Sequence, residues 1–466
     1  MSGSGGQDEV TVGIDIGTTS VKAVAVDRDG TIRARTRVPH ELLTPVPGAF
    51  EHDVDRAWRD DVLTALAQVS ERLEVAAVNV SAMVPSLAAV DAEGRAAGPG
   101  LLYGDHRGAD RGDVDVAEAG DRGELLAFLR WHVAHSEGAT GFWPAQAVAN
   151  HALTGNGAID STTAMCALPL FDGVQWDQKL ADGAGTTVDA LPQVVSGTRR
   201  AGYVLDGLPA AGAVVGGGTI DALGEQVVAG ADETGDVLVI CGGTLITWIV
   251  VDDWVEVPNL WTVPHTSPGK VLVGGPSNAG GLFVDRVARW LGPAAADAAA
   301  AALPDAGLPN DLPIWLPYLR GERSPLHRRD LQAELHGLSL HHEASDLRAA
   351  AFEASAFVLR HHLDLASGVS SPQRIVATGG GVRAAAWMQS LADVTGLPVD
   401  VVAVPEGAAL GSAFMARCVA RLETSMADAS RWAKVGHTVE PNEHRRDGIE
   451  ARYARFRAFT AAALDR

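Results

Sequence analysis

The sequence predicts an α/β protein made of two related domains. At 466 residues, the chain is longer than the ~100–200 residues of an ordinary domain. Segments rich in β-branched residues alternate with helical segments, which is typical of a mixed sheet covered by helices. A short pattern also recurs, because Ile14-Asp-Ile-Gly-Thr18 aligns with Ile240-Cys-Gly-Gly-Thr244. We therefore predict one domain at residues 1–212 and a duplicate of it at 213–466.

The first half opens as a meander of three strands. Gly-containing turns separate the three apolar segments, as expected for neighbouring antiparallel strands. The predicted strands of this half are residues 10–14, 21–26, 31–38, 75–80 and 86–90, with a helix at 54–73. Residues 173–202 are rich in Gly, Thr and Asp without clear periodicity, and the Gly-rich stretch 212–218 follows them. We place the domain boundary at the start of that stretch.

The second half repeats the alternation of strands and helices. Its predicted strands are residues 237–240, 245–251, 271–273, 374–378 and 399–404. Its predicted helices are residues 280–290, 346–365, 384–395 and 408–420, together with the Ala-rich run 294–302. This order again predicts a sheet with helices on its faces.

Composition and charge exclude several classes of protein. The chain has 37 Lys and Arg against 58 Asp and Glu, a formal net charge of −21, which disfavours binding to nucleic acid or to an anionic membrane. We find no signal peptide and no apolar run of the ~18–20 residues that a membrane span needs. Three widely spaced cysteines show no zinc-site pattern. We expect a cytoplasmic protein, and the sequence leaves a homodimer open.

The segment Asp15-Ile-Gly-Thr-Thr-Ser20 has the composition of a phosphate-binding turn. Gly17 allows close approach of the backbone, while Thr18 and Thr19 offer hydroxyl and N–H donors to phosphate oxygens. Asp15, at the end of the first strand, is placed to hold Mg²⁺ directly or through water. A single Gly-Thr turn can also be only a turn. The second copy, with Gly243 and Thr244, favours a triphosphate held by both.

A candidate general base follows a second Gly-rich turn. In Gly216-Gly-Gly-Thr-Ile-Asp221, the Asp stands at the start of a predicted helix. Phosphoryl transfer requires mainly positioning and charge stabilisation, with a carboxylate to accept the proton of the attacking hydroxyl. The alternative for Asp221 is a helix N-cap, and the runner-up base is Glu225, one turn further on.

These motifs together resemble a known family. The pattern D-x-G-T-[ST]-x-x-K from Asp15 to Lys22 is similar to that of the actin/hexokinase/Hsp70 ATPase superfamily. Within it, the chain resembles the FGGY carbohydrate kinases. The C-terminal signature of that family is matched by Ala333-Glu-Leu-His-Gly-Leu338 followed, after seven residues, by Asp346-Leu-Arg-Ala-Ala-Ala-Phe-Glu353. The resemblance implies two actin-like (ribonuclease H-like) domains with an interdomain cleft, and phosphorylation of a small sugar by ATP with Mg²⁺.

The resemblance also implies residues for the adenosine side. Ala377-Thr-Gly-Gly-Gly381, Trp387, Gln389 and Glu406-Gly-Ala-Ala-Leu-Gly411 resemble the adenosine-binding region of the family. Gly379, Gly380 and Gly381 leave room for a ribose or α-phosphate beside a helix N-terminus. Asn278 and Gly281, in Ser277-Asn-Ala-Gly-Gly281, are expected to line the same site, although on sequence alone they open a helix.

The sugar side is expected at Tyr103-Gly-Asp105-His-Arg107, which resembles the W-x-D-x-R segment of the family. Asp105 and Arg107 have the donors and acceptors for several hydroxyl groups, and a surface ion pair is the alternative. Xylulokinases carry Gln-Met-His where this chain has Ala82-Met83-Val84. Met83 is retained as a predicted sugar contact, but two polar positions are apolar, which weakens the assignment of xylulose more than that of a kinase.

We therefore predict a carbohydrate kinase whose substrate is a ketopentose such as xylulose. Ribulose, gluconate and glycerol remain alternative substrates. Two other classes also remain: a sugar-binding sensor that has lost catalysis, which the retained Asp15 and Asp221 disfavour, and an actin- or chaperone-type ATPase acting on proteins, which the sugar-side segment disfavours. Neither the sugar nor the hydroxyl that is phosphorylated follows from the sequence.

Overall fold

The structure of the protein is a computed structural model that describes residues 9–108, 123–195, 199–292 and 311–466. The chain forms two compact units. The first comprises Met1–Val228 and Glu406–Trp432, and the second comprises Ala229–Pro405 and Ala433–Arg466. Among the helices in the described ranges, none combines the length and the apolar composition that a membrane crossing requires.

The strands, in chain order, are β1 Glu9–Ile16, β2 Ser20–Val26, β3 Ile32–Pro39, β4 Glu51–His52, β5 Glu74–Ala82, β6 Ser86–Val90, β7 Gly100–Leu102, β8 Gly141–Trp143, β9 Ala158–Asp160, β10 Gln193–Val195, β11 Arg200–Tyr203, β12 Val214–Gly216, β13 Thr219–Ile220, β14 Asp236–Cys241, β15 Leu245–Val251, β16 Trp261–Pro264, β17 Val271–Ser277, β18 Ile314–Leu316, β19 Glu334–His336, β20 Arg374–Thr378, β21 Val399–Val402 and β22 Val435–Val439. The α-helices are α1 Asp61–Ser70, α2 Glu124–His135, α3 Ala145–Thr154, α4 Ser161–Met165, α5 Gln178–Gly183, α6 Asp221–Ala229, α7 Gly281–Leu291, α8 Ala344–Leu365, α9 Ala385–Thr395, α10 Gly407–Val419 and α11 Arg446–Leu464.

The main sheet of the first unit has the order β11-β12-β5-β1-β2-β3, and β13 also pairs with β5. β1 runs antiparallel to β2 and parallel to β5. β12 and β13 are likewise parallel to β5. The carboxyl ends of β1, β5, β12 and β13 therefore lie on the same side of the sheet, here called its carboxyl edge. Ligands of α/β proteins commonly bind there.

Both faces of β1 are covered. Val12 and Ile14 lie in the apolar core with Trp58 and Leu66. Residues of odd number point to the other face, where Gly13 lies against α10. A Cβ on Gly13 would come 1.8 Å from the carbonyl oxygen of Ala409, so only glycine allows the helix to pack this closely.

The sheet of the second unit repeats the arrangement of the first. Its order is β16-β17-β15-β14-β20-β21-β22. β14 is antiparallel to β15 and parallel to β20, as β1 is to β2 and β5. β21 is parallel to β20, and β22 is antiparallel at the edge, as β12 and β11 are in the first unit. The predicted duplication of an α/β domain is confirmed.

The compact units divide the chain differently from the predicted boundary at 212/213. β12 and β13 come after residue 212 and pair with β5 of the first sheet, for example Val214 with Ala77. The helix α10 returns to the first unit, where the Thr11 hydroxyl donates to the carbonyl of Ala413 at 2.9 Å. The two residues are 402 positions apart in sequence. The local composition of the chain does not indicate that such distant segments belong to one unit.

Most predicted elements of the two main sheets are present, and residues 86–90, 245–251 and 374–378 form strands with the predicted bounds. The first unit also contains α2 to α5, which were not predicted, and only α5 lies in the aperiodic residues 173–202. The predicted strand 86–90 belongs to a separate four-stranded antiparallel sheet, β4-β7-β6-β8. α11 was also not predicted. The Ala-rich run 294–302, predicted as a helix, lies outside the described residues.

Candidate active site

Three predicted site residues lie at the carboxyl edge of the first sheet. The parallel register places Asp15 beside Ser81 and Ser81 beside Thr219. Met83 is the first residue after β5, and Asp221 is the first residue after β13. The ends of three neighbouring strands therefore bring the predicted magnesium ligand, sugar contact and general base to one edge.

Asp221 begins α6 and is half-buried. One of its carboxylate oxygens accepts a hydrogen bond from the N–H of Ala222 at 2.7 Å. This contact is with the next residue, as expected if Asp221 only stabilises the helix N-terminus, the alternative role given above. The helix dipole favours a carboxylate at that terminus. The position at the strand edge is compatible with proton transfer as well.

Asp15 is 4% exposed and has two polar neighbours. Lys22, its cross-strand partner, places Nζ 3.5 Å from one oxygen, and the Ser81 hydroxyl donates to the other at 3.2 Å. The carboxylate of Asp15, and to a smaller extent that of Glu225, raises the pKa of Lys22 although burial opposes this. Glu225, the runner-up base, is therefore also close to this cluster.

The turn after Asp15 is closed by a hydrogen bond from Gly17 N–H to the carbonyl of Ser20 at 3.0 Å. The hydroxyl groups of Tyr103 and Thr18 are hydrogen-bonded at 3.1 Å. Trp, which the W-x-D-x-R segment has at this position, carries no hydroxyl group for this contact. Two histidines, His40 and His52, contact carbonyl oxygens of the same turn. His40 and His52 stand outside any motif, and Tyr103 stands in a segment expected to contact the sugar, so the sequence did not indicate these three contacts.

The sugar-side residues Asp105 and Arg107 pair with each other. Asp105 is fully buried, and its oxygens accept from the Phe50 N–H at 2.6 Å and from Arg107 Nε and Nη2 at 2.8 and 2.6 Å. Arg107 Nη2 also lies 2.8 Å from Glu51. The ion pair of Asp105 and Arg107 is therefore buried and is not the surface ion pair considered as an alternative. It stabilises the segment that contains Tyr103. Met83 is 2% exposed.

In the second unit, the repeat forms a matching turn. Gly242 N–H donates to the carbonyl of Thr244 at 3.0 Å. The N–H groups of Gly281 and Leu282, at the start of α7, donate to the carbonyls of Gly242 and Gly243 at 2.8 and 3.0 Å. A Cβ on Gly281 would come 2.6 Å from the Gly242 oxygen. The predicted residues Gly243, Thr244 and Gly281 are therefore brought together.

Asn278 is held just before α7 by a buried carboxylate. Its N–H donates to Glu322 at 2.8 Å, and its side-chain amide donates to the carbonyls of Arg320 and Gly321. Burial raises the pKa of Glu322 to about 7, although Ser277, Asn278 and Arg323 donate to the carboxylate. The segment Gly321–Pro325 thus shapes the turn that contains Asn278.

The three consecutive glycines after β20 pack beside the same turn. A Cβ on Gly379 or Gly381 would come 2.9 or 2.8 Å from the carbonyl oxygen of Cys241, whereas Gly380 faces open space. Gly379 also has φ +89°, which favours glycine. The second unit therefore brings the predicted adenosine-side glycines next to Gly243 and Thr244.

Some residues of the recognised motifs have structural roles. Glu353, in the C-terminal signature, forms a buried ion pair with Arg452 of α11, with Nη2 to Oε1 at 2.5 Å. Trp387 is buried and donates to the Ser355 hydroxyl. Gly411, expected on the adenosine side, packs on α6, where its Cβ would come 1.9 Å from the Gly224 oxygen.

Two further features lie away from these residues. Asp311, His341 and His342 cluster on the surface of the second unit. Every imidazole nitrogen of the two histidines already has a hydrogen-bonding partner in Asp311 or Ser339, so the cluster is satisfied without a metal. A cavity of ≈ 460 Å³ near Arg360 and Glu450 is lined by none of the predicted site residues.

The chain matches known proteins over nearly its whole length. Residues 10–113 match the N-terminal domain, and residues 239–420 the C-terminal domain, of the FGGY family of carbohydrate kinases. The protein named "Probable L-xylulose kinase" of Pasteurella multocida is 27% identical over 97% of this chain and 98% of its own length. Xylulose kinase of Streptomyces coelicolor is 30% identical over 92% of each chain.

A solved structure agrees with these relatives. The crystal structure of xylulose kinase from Rhodospirillum rubrum superposes with a TM-score of 0.77 and 27% identity, covering 98% of this chain and 100% of that one. The expected fold and the family resemblance are both confirmed. The two matched domains together span more than half of the sequence, and this chain belongs to the FGGY family of carbohydrate kinases.

Proposed function

We propose that this carbohydrate kinase transfers the γ-phosphoryl group of ATP to a hydroxyl of a ketopentose, with Asp221 as the general base. The observation that carries the proposal is the register of the first sheet, which aligns Asp15, Ser81 and Thr219. This alignment puts Asp221 at the same sheet edge as Asp15 and Met83. A base and a phosphate-binding turn at one edge are what an in-line transfer requires.

The proposed step needs one proton acceptor. The Asp221 carboxylate accepts the proton of the sugar hydroxyl while the hydroxyl oxygen forms a bond to the γ-phosphorus. The bond from that phosphorus to the β–γ bridging oxygen breaks, and ADP leaves with the electron pair. Positioned general bases contribute typically 10²–10⁴-fold to the rate.

Asp15 is the proposed ligand for Mg²⁺. The ion prefers oxygen donors and keeps several waters, and it is usually held by one or two carboxylates together with substrate phosphates. The Asp15 carboxylate fits this donor set. Ser81 and Lys22 hold it in place, and its two oxygens are the atoms that would bind the ion. When bound, Mg²⁺ neutralises charge on the phosphate oxygens.

The remaining predicted residues are proposed nucleotide contacts. In the first unit, Gly17, Thr18 and Thr19 would donate to phosphate oxygens. In the second unit, Gly243, Thr244, Asn278, Gly281 and Gly379, Gly380, Gly381 would contact the nucleotide. The support is that the structure clusters the latter set around one turn, with Gly380 facing open space.

Xylulose is the proposed substrate because the relatives reported above carry that name. Ala82 and Val84 are apolar where xylulokinases usually carry Gln and His, so two polar side chains that could contact the sugar are absent. Asp105 and Arg107 are paired with each other. We therefore propose a pocket that makes fewer polar contacts with the sugar, which leaves ribulose, gluconate and glycerol as candidates.

A coupled assay of ADP release over D-xylulose, L-xylulose, ribulose, gluconate and glycerol tests the proposal. We expect one ketopentose to give the highest kcat/KM, with loss of release when Mg²⁺ is chelated. Sugar binding without turnover would support the sensor. ATP hydrolysis stimulated by a protein and by no sugar would support the protein-directed ATPase.

A further inference from the structure

Two buried histidines contact carbonyl oxygens of the turn after Asp15. His40 Nε2 lies 2.9 Å from the carbonyl oxygen of Gly17, and His52 Nε2 lies 2.9 Å from that of Thr18. His40 is 7% exposed and His52 is 1% exposed. Because carbonyl oxygens only accept hydrogen bonds, both Nε2 atoms must carry the proton.

The proton position on His52 is fixed by Trp58. The indole Nε1–H can only donate, and it lies 3.0 Å from His52 Nδ1. Nδ1 is therefore the acceptor, and the neutral ring carries its hydrogen on Nε2, which faces Thr18. Burial lowers the pKa of His52 to about 4, so this neutral tautomer is the form present near neutral pH.

Anchoring the carbonyls also sets the direction of the amide groups. In a trans peptide, the C=O of one residue and the N–H of the next point in opposite directions. Holding the Gly17 and Thr18 carbonyls therefore aims the N–H groups of Thr18 and Thr19 to the other side of the turn. The backbone N–H of His40 donates to the Thr19 carbonyl at 3.1 Å, which orients a third peptide plane.

The duplicated turn of the second unit also has two consecutive carbonyls held by hydrogen bonds, from different donors and one position earlier in the alignment of the two copies. There, the backbone N–H groups of Gly281 and Leu282 donate to the carbonyls of Gly242 and Gly243. A helix N-terminus supplies the donors in the second copy, and imidazole side chains supply them in the first. The shared feature is a pair of anchored carbonyls behind a Gly-Thr turn.

We infer that His40 and His52 are positioning residues, which hold the 17–19 turn so that its amide N–H groups face the phosphates of ATP. The inference rests on the proposed function for the role of that turn. Neither histidine touches the nucleotide. Their effect is on the affinity for phosphate groups and not on the affinity for adenosine.

The test is the affinity of His52→Leu and His52→Gln for a non-hydrolysable ATP analogue, for ADP and for adenosine, measured by calorimetry. Leucine removes the donor, whereas the glutamine amide can again donate to the Thr18 carbonyl. We expect His52→Leu to bind the ATP analogue about tenfold more weakly, as for loss of one ordering hydrogen bond. Adenosine affinity should stay within about twofold, and His52→Gln should recover most of the loss.

His265→Leu is the matched control. His265 is also a buried histidine, with Nδ1 accepting from the Ser267 N–H at 2.8 Å and Nε2 donating to the Ala231 carbonyl at 2.9 Å, but it lies in the second unit. The substitution should lower the melting temperature and leave the affinity for the ATP analogue unchanged. If His52→Leu does not fold, Trp58→Phe, which removes the donor that fixes the His52 tautomer, takes its place with the same expectation.

Three outcomes overturn the inference: normal affinity of the folded variant for the ATP analogue, an equal loss for adenosine, or an equal loss in His265→Leu. If the wild type itself binds no ATP analogue and phosphorylates no sugar, the proposed function fails. If the wild type is active and only the loss in His52→Leu is missing, the inference fails alone.

Discussion

Replacing the buried ion pair between Glu353 and Arg452 tests whether the end of the C-terminal signature stabilises the fold. Both side chains are 2% exposed. The guanidinium makes three contacts with the carboxylate, at 3.1, 2.9 and 2.5 Å. The pair connects α8 to α11 within the core of the second unit. Removing the carboxylate therefore leaves a buried positive charge without its main partner.

The magnitude follows from that burial. Breaking a buried pair by removing one partner typically costs about 3–5 kcal/mol, whereas replacing both partners by apolar residues of similar volume is often neutral. For a unit of this size, 1 kcal/mol shifts the melting temperature by about 2–4 °C. Glu353→Leu should therefore lower it by about 6–20 °C, and Glu353→Leu with Arg452→Met should recover most of that loss.

The assay is a double-mutant cycle by thermal and urea unfolding, with kcat and KM measured at a temperature where all variants are folded. We expect kcat and KM within about twofold of wild type, because the pair joins α8 to α11 and neither helix contains a predicted site residue. A Glu353→Leu protein as stable as wild type, additive losses in the double variant, or a large fall in kcat with normal stability would refute the reasoning.

Three other changes test separate parts of the structure. Tyr103→Phe removes the hydroxyl contact with Thr18 and should raise the KM for ATP about 2–10-fold, from a hydrogen bond of about 0.5–1.5 kcal/mol; an unchanged KM in steady-state kinetics would contradict this. Burial lowers the pKa of His362 to about 4, below the unfolded value of about 6.5, so wild type loses about 3 kcal/mol as the pH falls from 6.5 to 4. The stability difference between wild type and His362→Gln in urea unfolding should therefore shrink over that range, and a constant difference would contradict the assignment. Gly13→Ala places a Cβ 1.8 Å from the backbone of α10 and should destabilise the first unit by about 1–3 kcal/mol, while Gly183→Ala, with open space around it, should be neutral by the same measurement.

The two main sheets could be predicted from the sequence because their strands are apolar runs bounded by glycine. Leu245–Val251 and Arg374–Thr378 are such runs, and both form strands with the predicted bounds. Residues 124–135 and 446–464 carry charged and apolar residues without a clear pattern, and the two helices there were not predicted. Their helical structure depends on packing within each unit.

The candidate site was predictable where chemistry requires a recognisable local pattern. Asp15 and Gly243 stand in such patterns, and the structure places Asp15 near the end of β1 and Gly243 in the turn after β14. His40 and His52 have no pattern, since they reach the turn from positions 23 and 34 residues away in sequence. His40 follows β3 and His52 lies in β4, so these contacts depend on how two further segments pack against the turn, which one sequence does not show.

The role of Asp221 is tested most directly by single-turnover phosphoryl transfer in Asp221→Asn. The amide has nearly the shape of the carboxylate but does not accept the sugar proton. We predict a rate 10²–10⁴-fold below wild type, as for loss of a general base, with unchanged melting temperature and affinity for the ATP analogue. A folded Asp221→Asn protein that transfers phosphate at close to the wild-type rate would contradict the account.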